Sequence, residues 1–451
     1  MDKTQAIFFL GIGGIGMSAL ARYFHSQGYP VAGYDKQCTA LTQALEAEGI
    51  VVVYEEGVSD IPSGFEGPEV LVVRTPAVPL NQMQYLHFQQ QGNTFKKRAE
   101  VLGMLTQGKL AFAVGGTHGK TTTSSILAQL LHHAGLRPNA FLGGLALNFK
   151  SNVLLGDSSL VVVEADEFDR SFLHLDPNYA VITSTDADHL DIYGSEAGIL
   201  EGFEAFAEKC RRQGKLLVHE SVRLKSDFSY GASAENKFYY TNYRVEDGSC
   251  KASFHLDGDS IAVAWGLPGK HNMENALAAA ALAYLHGLSL EQIAAGLAAF
   301  KGVYRRFERV LDGPEGVLID DYAHHPTEIQ AAIAACRSLH PKAFIRVLFQ
   351  PHLYSRTRDF MEGFQQALGL ADGLYLLPIY PARELPIPGV TSQALAQGIQ
   401  GKPVEVLEYH EAVNRMVSHS NEVLLVLGAG NIDALVPQMK QALIEKHQAH
   451  A

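Results

Sequence analysis

The sequence is poor in cysteine, in basic clusters and in long apolar runs, and each shortage excludes a class of protein. Its four cysteines, Cys38, Cys210, Cys250 and Cys336, show no paired spacing, which argues against a disulfide framework or a zinc site and favours reduced thiols in the cytoplasm. The net charge is −12 without any basic block, so nucleic acid is not an expected partner. No stretch is long and apolar enough to insert in a membrane, and the first residues leave no room for a signal peptide.

The length and the spacing of apolar runs predict an α/β protein of several domains. At 451 residues the chain is too long for one compact domain, and the usual domain size suggests roughly three. Short apolar runs alternate with helical segments, so the sheets should be largely parallel. The predicted strands are 6–10, 31–34, 70–73, 110–114, 160–163, 179–183, 216–219, 237–240, 252–256, 261–264, 316–319, 344–349, 373–377, 404–407 and 422–427.

A glycine-rich turn follows the first predicted strand. Residues 11–16 (Gly-Ile-Gly-Gly-Ile-Gly) open a helix, and Asp35 ends the second strand about 20 positions on. This pattern predicts a phosphate at a helix N-terminus, but it does not choose NAD over a nucleotide-sugar, and a purely structural turn is the alternative. Thr75 lies just after a further strand, at the sheet edge where open α/β sheets bind ligands.

A second glycine-rich turn, Val114 to Thr123, lies between a predicted buried strand and a helix. Its backbone N–H groups should converge on the phosphates of a nucleotide, with Lys120 neutralising the outer ones. The hydroxyl of Thr121 or Thr122 would hold Mg²⁺. The strict phosphate-loop pattern has glycine at the position of Val114, so this turn departs from it there. The alternative interpretation is a glycine-rich strand-to-helix turn that carries Lys and Thr by chance.

Acidic residues follow the next two strands. Glu164, the first polar side chain after its strand in Glu164-Ala165-Asp166-Glu167, is our first choice for a Mg²⁺ ligand, with a solvated strand end as the alternative. In the same position after the following strand, Asp188-His189 offers an imidazole among carboxylates, which favours a metal ligand over a surface histidine.

Polar groups in the last part of the chain complete the candidate site. Asn272 and Asn275 share a helix face, where they could bind an adenine edge, although spacing alone favours a helix cap. The pair Arg305-Arg306 could reach a phosphate or lie on the surface. The segments 320–326 and 349–358 place histidines, carboxylates and arginines at the carboxyl ends of strands, the expected binding edge.

Taken in order, these motifs resemble the Mur ligase family along nearly the whole chain. The motifs that carry the resemblance are Gly11 to Ser18, Gly116 to Thr123, Glu164 to Glu167, Asp188-His189, His271-Asn272 with Asn275, Arg305 to Phe307, Asp320 to Pro326 and Phe349 to His352. The resemblance implies a Rossmann-like UDP-sugar domain over 1–107, a central ATP-binding domain over 108–302 and a Rossmann-like amino-acid-binding domain over 303–451.

The resemblance also implies an activity, ATP-dependent ligation of L-alanine to the lactyl carboxylate of UDP-N-acetylmuramate through an acyl phosphate, in peptidoglycan precursor synthesis. ATP and Mg²⁺ are the implied cofactors, and a monomer or homodimer is expected. The implied catalytic residues are Lys120, Glu164 and His189, and the implied Mg²⁺ ligands are Thr121, Glu164 and His189. ATP is implied to contact Gly116, Thr117, His118, Gly119, Lys120, Thr121, Thr122, Asn275, Arg306 and Asp321. The sugar nucleotide is implied to contact Gly11, Gly13, Gly14, Ile15, Gly16, Asp35 and Thr75. The amino acid is implied to contact Tyr322, His324, His352 and Arg356.

Two positions depart from the family pattern, and three other functions compete with this interpretation. Leu353 stands where the family commonly has arginine, and Tyr54-Glu55 stands where a Gly-His pair is often found. The resemblance therefore does not assign the amino-acid carboxylate contact to Leu353 or uracil contacts to Tyr54-Glu55. A murein-peptide ligase that joins a tripeptide to the same sugar nucleotide is the nearest alternative. A nicotinamide-dependent oxidoreductase would leave the second glycine-rich turn unexplained. A non-catalytic nucleotide switch would not need the histidine-rich strand ends.

Overall fold

The computed structural model of the chain describes residues 5–186, 195–246, 248–382, 384–418 and 422–449. These residues group into two compact units. The first comprises 1–241, 253–263 and 275–300, and the second comprises 242–252, 264–274 and 301–451. The predicted α/β fold with largely parallel sheets is confirmed.

The first sheet has five parallel strands in the order β3-β2-β1-β4-β5. Its central strand β1 is buried along its whole length, as expected for a parallel strand covered on both faces. The strands are β1 (Ala6–Leu10), β2 (Val31–Tyr34), β3 (Val51–Val53), β4 (Val70–Arg74) and β5 (Thr94–Lys97). The helices that accompany them are α1 (Ile15–Ser26), α2 (Ala40–Ala47), α3 (Met83–Gln90) and α4 (Arg98–Thr106).

The second sheet has ten strands in the order β15-β14-β13-β12-β11-β10-β6-β9-β7-β8, and its middle is parallel. Its strands are β6 (Leu110–Gly115), β7 (Asn139–Ala146), β8 (Ser151–Leu154), β9 (Leu160–Ala165), β10 (Tyr179–Ile182), β11 (Lys215–His219), β12 (Phe228–Gly231), β13 (Phe238–Glu246), β14 (Ser249–Leu256) and β15 (Asp259–Trp265). Its helices are α5 (Lys120–His133), α6 (Glu196–Gln213), α7 (Lys270–His286) and α8 (Leu290–Ala298). Asp257 and Gly258 both have positive φ (52° and 96°), which suits the tight hairpin turn predicted between β14 and β15.

The third sheet has six strands in the order β16-β17-β21-β18-β19-β20, parallel except for the β16–β17 hairpin. Its strands are β16 (Glu308–Gly313), β17 (Gly316–Asp321), β18 (Phe344–Phe349), β19 (Gly373–Leu376), β20 (Val404–Val406) and β21 (Glu422–Leu427). Its helices are α9 (Pro326–Leu339), α10 (Tyr354–Asp359), α11 (Met361–Leu368), α12 (Ser392–Gln397), α13 (Ala412–Val417) and α14 (Val436–Gln448).

Two local predictions need correction. Strand β9 continues to Ala165, so Glu164 lies inside the strand and not after it. Helix α7 begins at Lys270, so Asn272 and Asn275 lie inside it and neither is its N-cap. Asn272 instead donates through Nδ2 to the carbonyl of Pro268, at 2.7 Å.

All four cysteines are free thiols, and Cys210, Cys250 and Cys336 are buried. Burial raises the pKa of the Cys250 thiol, so this side chain behaves as a small apolar group. No helix within the described residues is long and apolar enough to cross a membrane.

Candidate functional site

The first glycine-rich turn folds against the end of β2. Gly11 has a φ of +86°, and the N–H groups of Gly11 and Ile12 donate to the carbonyl of Tyr34 at 2.8 and 3.0 Å. The N–H of Gly13 donates to Asp35 Oδ2 at 2.8 Å. The predicted acid therefore supports the turn itself.

The start of α1 lies beside Thr75 and has uncapped N–H groups. Gly14 is the N-cap and provides no side-chain hydrogen bond, so the first N–H groups of α1 have no partner within the helix. Such an end attracts phosphate oxygens. A side chain on Gly11 would lie 2.5 Å from Thr75 Cγ2, so Thr75 packs directly on the turn. Its contact with a sugar nucleotide stays a prediction.

The second turn carries Lys120 at the first position of α5. Gly119, with φ +81°, is the N-cap residue, and no side chain caps the helix. Lys120 Nζ donates to the carbonyls of Gly116 and Thr117 at 2.7 and 3.2 Å, and it lies 2.8 Å from Glu167 Oε2. Burial alone would lower the pKa of Lys120, but the nearby acids, Glu167 first, outweigh burial and raise it.

The loop between Gly115 and Lys120 is held by groups that follow β10. The N–H groups of Thr117 and His118 donate to the carbonyl and hydroxyl of Ser184, at 3.2 and 2.8 Å. Asn275 also contacts the loop. Its Oδ1 accepts from Thr123 Oγ1 at 3.2 Å, and a side chain on Gly119 would lie 2.3 Å from that oxygen. Asn275 therefore lies beside the second glycine-rich turn.

The three acids at the end of β9 have three different partners. Glu164 Oε2 accepts from the N–H of Gly143 at 2.9 Å. Asp166 Oδ2 pairs with Arg98 Nη2 at 2.8 Å, and Glu167 pairs with Lys120. No local pattern predicts the last two contacts, because the partners are separated by 68 and 47 residues. Arg98 and Glu167 are the site residues that sequence reasoning missed.

One cavity of about 280 Å³ joins the first turn to these acids. Its lining includes residues of both features, namely Gly14, Ile15, Gly16, Thr75, Glu164 and Asp166. The start of α1 and the acidic end of β9 therefore face one space, which is large enough for part of a sugar nucleotide.

His189 and Asp188 lie outside the described residues. Within the part of the chain that the structure describes, no group of three acidic, histidine or cysteine side chains forms a ready metal site. The remaining predicted ligands, Thr121 and Glu164, are described. Thr121 is 4% exposed at the start of α5, and Glu164 is half-buried.

In the second unit, Asp321 is a buried acid at the end of β17. Its two oxygens accept from the N–H groups of Phe307 and Ala323, both at 2.7 Å. Burial raises its pKa to about 6, although the guanidinium of Arg306 opposes this shift. Arg306 lies over the ring of Tyr322 at 5.1 Å.

The neighbouring pair Arg305–Asp320 is structural. Arg305 is 7% exposed, lies 3.3 Å from Asp320 Oδ2 and donates to the carbonyl of Gly428. Burial raises the pKa of Asp320 to about 7, although the guanidinium of Arg305 opposes this shift. Of the two predicted arginines, Arg305 is therefore buried in an ion pair, and Arg306 is half-buried.

The four residues predicted for the amino acid come together at the ends of β17 and β18. The rings of Tyr322 and His324 are 5.3 Å apart, and those of His324 and His352 are 6.3 Å apart. Arg356 Nη1 lies 3.4 Å from His352 Nδ1. Burial, followed by His324 and Arg356, lowers the pKa of His352 to about 4, so this imidazole is neutral at pH 7.

Three matches to family models cover most of the chain in order. Residues 6–110 match the Mur ligase family catalytic domain, residues 114–283 the Mur ligase middle domain, and residues 305–430 the Mur ligase glutamate ligase domain.

Named relatives match over full length. A UDP-N-acetylmuramate–L-alanine ligase of Porphyromonas gingivalis is 46% identical over 97% of this chain and 99% of its own. The solved UDP-N-acetylmuramate–alanine ligase of Thermotoga maritima superposes with a TM-score of 0.83 at 28% identity, covering 99% and 100% of the two chains. The MurF ligase of T. maritima, solved in complex with ADP, has a TM-score of 0.63 at 16% identity, covering 86% and 96%. The chain carries three Mur ligase domains in succession and belongs to the Mur ligase family.

Proposed function

We propose that the protein joins L-alanine to the lactyl carboxylate of UDP-N-acetylmuramate at the expense of ATP, which supplies a peptidoglycan precursor. The observation that carries the proposal is the shared cavity. It brings the start of α1 and the acids of β9 to one space. Strand β9 pairs with β6, the strand that leads into the loop carrying Lys120. The full-length likeness to alanine ligases supports the choice of substrates.

ATP would bind at the loop from Gly116 to Thr122. The first N–H groups of α5 lack acceptors within the helix and can receive phosphate oxygens. Lys120 would neutralise the outer phosphates in exchange for its contact with Glu167. Asn275, beside the loop, is proposed to contact the nucleotide, as are Arg306 and Asp321 of the second unit.

The residues present suit Mg²⁺, because the hydroxyl of Thr121 and the carboxylate of Glu164 are the oxygen donors that this ion prefers. Together with His189 they are proposed to hold it. Bound there, the ion would neutralise charge on the phosphates.

The chemistry requires two anions to meet. The lactyl carboxylate attacks the γ-phosphate of ATP, ADP leaves, and the amine of L-alanine displaces phosphate from the acyl phosphate. Lys120 stabilises the charge that spreads over the transferring phosphoryl group. The cluster of Tyr322, His324, His352 and Arg356 is proposed to bind L-alanine, with Arg356 on its carboxylate because a planar guanidinium binds carboxylates bidentately.

We further propose that the domain boundaries lie at 107/108 and 302/303, that the protein works in the cytoplasm, and that it is a monomer or homodimer. The free cysteines suit a reducing compartment.

A phosphate-release assay tests the function. Purified protein with ATP, Mg²⁺ and UDP-N-acetylmuramate should release phosphate only when an amine is added, and L-alanine should give a higher kcat/KM than glycine, L-serine or a murein tripeptide. Preference for the tripeptide would replace the proposal by the murein-peptide alternative. Micromolar binding of NAD without a response to the sugar nucleotide would support an oxidoreductase.

A substitution at Lys120 tests whether the activity depends on the loop from Gly116 to Thr122. Lys120→Ala should lower kcat by several orders of magnitude, because such contacts contribute roughly 3 kcal/mol or more to a transition state. Retention of more than about a tenth of the turnover at saturating ATP would contradict the assignment of Lys120.

A further inference from the structure

Arg98 is the only cationic side chain among the described residues that line the 280 Å³ cavity. It is the first residue of α4, and its guanidinium pairs with Asp166 at 2.8 Å. Glu164 lines the same cavity, so two carboxylates and one cation face the space where the sugar nucleotide is proposed to bind.

The first glycine-rich turn makes room for this guanidinium. A side chain on Gly16 would lie 2.7 Å from Arg98 Nη1 and 2.9 Å from Arg98 Cδ. The last glycine of the turn therefore admits an arginine across the start of α1. Arg98 reaches from the phosphate-binding end of that helix to the acids of β9.

A substrate carboxylate that enters this cavity meets Glu164 and Asp166. Like charges held this close are costly without a cation between them. A diphosphate at the same end has the N–H groups of α1 as partners, whereas Arg98 is the cationic side chain that the cavity lining places beside the acids. A planar guanidinium can bind one carboxylate while it keeps a hydrogen bond to another.

We propose that Arg98 binds the lactyl carboxylate of UDP-N-acetylmuramate, and that Asp166 positions its guanidinium for this contact. The inference rests on the proposed function. It makes Arg98 the residue that distinguishes this sugar nucleotide from UDP-N-acetylglucosamine, which carries a hydroxyl where the lactyl group would be.

Binding of three ligands to the unmodified protein and to Arg98→Met tests the proposal. UDP-N-acetylmuramate, UDP-N-acetylglucosamine and UDP are compared by ligand-detected NMR, which also measures weak binding, in the absence of ATP. We expect Kd for UDP-N-acetylmuramate to rise about 10- to 100-fold in the variant, the effect of losing a charged hydrogen bond. Kd for the other two ligands should change less than about threefold.

Further variants separate this role from a structural one. Arg98→Lys should restore part of the affinity, because it keeps the charge without the planar fork. Gly16→Ala alone should weaken UDP-N-acetylmuramate binding, because the added methyl group collides with Arg98. Combined with Arg98→Ala, the same change should weaken binding little further, since both changes act through the Arg98 side chain. The control Arg212→Met removes an arginine that is 73% exposed on α6 and should change nothing. The Arg98–Asp166 pair is 28% and 35% exposed, so the unfolding midpoint should move little.

The outcomes are distinct. Equal losses for UDP-N-acetylmuramate and UDP would place Arg98 on the diphosphate and overturn the proposal. Unchanged affinities in Arg98→Met, with normal binding to the unmodified protein, would overturn the role of Arg98 and leave the proposed function standing. Failure of the unmodified protein to bind UDP-N-acetylmuramate at all would instead reject the proposed function, and the role of Arg98 with it.

Discussion

Replacing Glu167 by glutamine tests whether its ion pair with Lys120 competes with nucleotide binding. The two side chains are 14% and 4% exposed, and Lys120 Nζ lies 2.8 and 3.0 Å from the two carboxylate oxygens. The same ammonium donates to the carbonyls of Gly116 and Thr117. A phosphate that takes over Lys120 must compete with all of these acceptors.

The magnitude follows from the charge that the substitution removes. Glutamine keeps the shape and one oxygen acceptor, but a hydrogen bond to a charged group contributes about 1.5–3 kcal/mol, and much of that is lost. The unfolding free energy should fall by about 1–3 kcal/mol. This is less than the loss on breaking a buried ion pair whose remaining charge has no other partner, because Lys120 keeps the carbonyls of Gly116 and Thr117. The nucleotide no longer has to break an ion pair, so ADP should bind about 10- to 100-fold more tightly.

Calorimetric titration with ADP in EDTA measures this change without interference from Mg²⁺. Glu204→Gln, which neutralises an exposed carboxylate on α6, is the matched control and should leave both ADP affinity and stability unchanged. ADP affinity that is unchanged or weaker in Glu167→Gln would refute the reasoning. It would mean that Lys120 keeps its partner Glu167 when the nucleotide binds.

Three further predictions concern the second unit. Arg356→Ala should raise the KM for L-alanine strongly and leave the KM values for ATP and UDP-N-acetylmuramate little changed. Arg358→Ala, which removes an exposed neighbouring arginine, is the control. A rise in the KM for ATP alone would make Arg356 a phosphate ligand. Burial lowers the pKa of His271 to about 4, so below pH 6.5 the unfolded state binds the extra proton and stability is lost as the pH falls toward 4, by about 3 kcal/mol. Urea unfolding of His271→Gln at pH 7.5 and 5 should show a smaller loss than the unmodified protein, and an equal loss would contradict the assignment. Leu353 has a φ of +71°, a conformation that costs a bulky residue about 1–2 kcal/mol. Leu353→Gly should therefore raise the unfolding midpoint slightly. A clear decrease would show that the packing of the leucine side chain outweighs the backbone strain.

The central strands could be predicted because buried parallel strands are continuous apolar runs. Strands β1, β2, β18 and β21 have the predicted bounds. β1 and β2 are buried along their whole length, and β18 and β21 are buried over their last three and five residues. Edge strands with polar or glycine residues were missed. Strand β16 contains Glu308, Arg309 and Asp312, and its pairing with β17 is set by the hairpin and not by a run of its own.

Strand β7 was missed for a reason that concerns the site. Its Gly143-Gly144 pair weakens the strand pattern, yet a side chain on Gly143 would lie 2.3 Å from Glu164 Oε2. The glycine that hides the strand from the sequence pattern is the one that lets the acid approach the backbone. Local propensity fails at this point because a site contact overrides it.

Within the candidate site, local motifs could be predicted and long-range pairs could not. The loop around Lys120 was identified because its residues are consecutive. The choice of Glu164 over Glu167 rested on order along the chain alone, and the fold gives the two acids different partners. The sequence could not reveal that Glu167 would lie beside Lys120, since that depends on β6 and β9 being neighbours in the sheet.

The glycines of the two turns show why a glycine-rich motif underdetermines function. Gly16 makes room for Arg98, and Gly119 makes room for Asn275, in each case because a side chain would collide with a polar group of another segment. The pattern is usually explained by close approach of a phosphate to the backbone. Here the same absence of a side chain also brings an arginine and an amide to the site, and these groups can distinguish one ligand from another. Ligand choice therefore depends on residues distant in sequence that the glycines admit, and such residues become visible only in the fold.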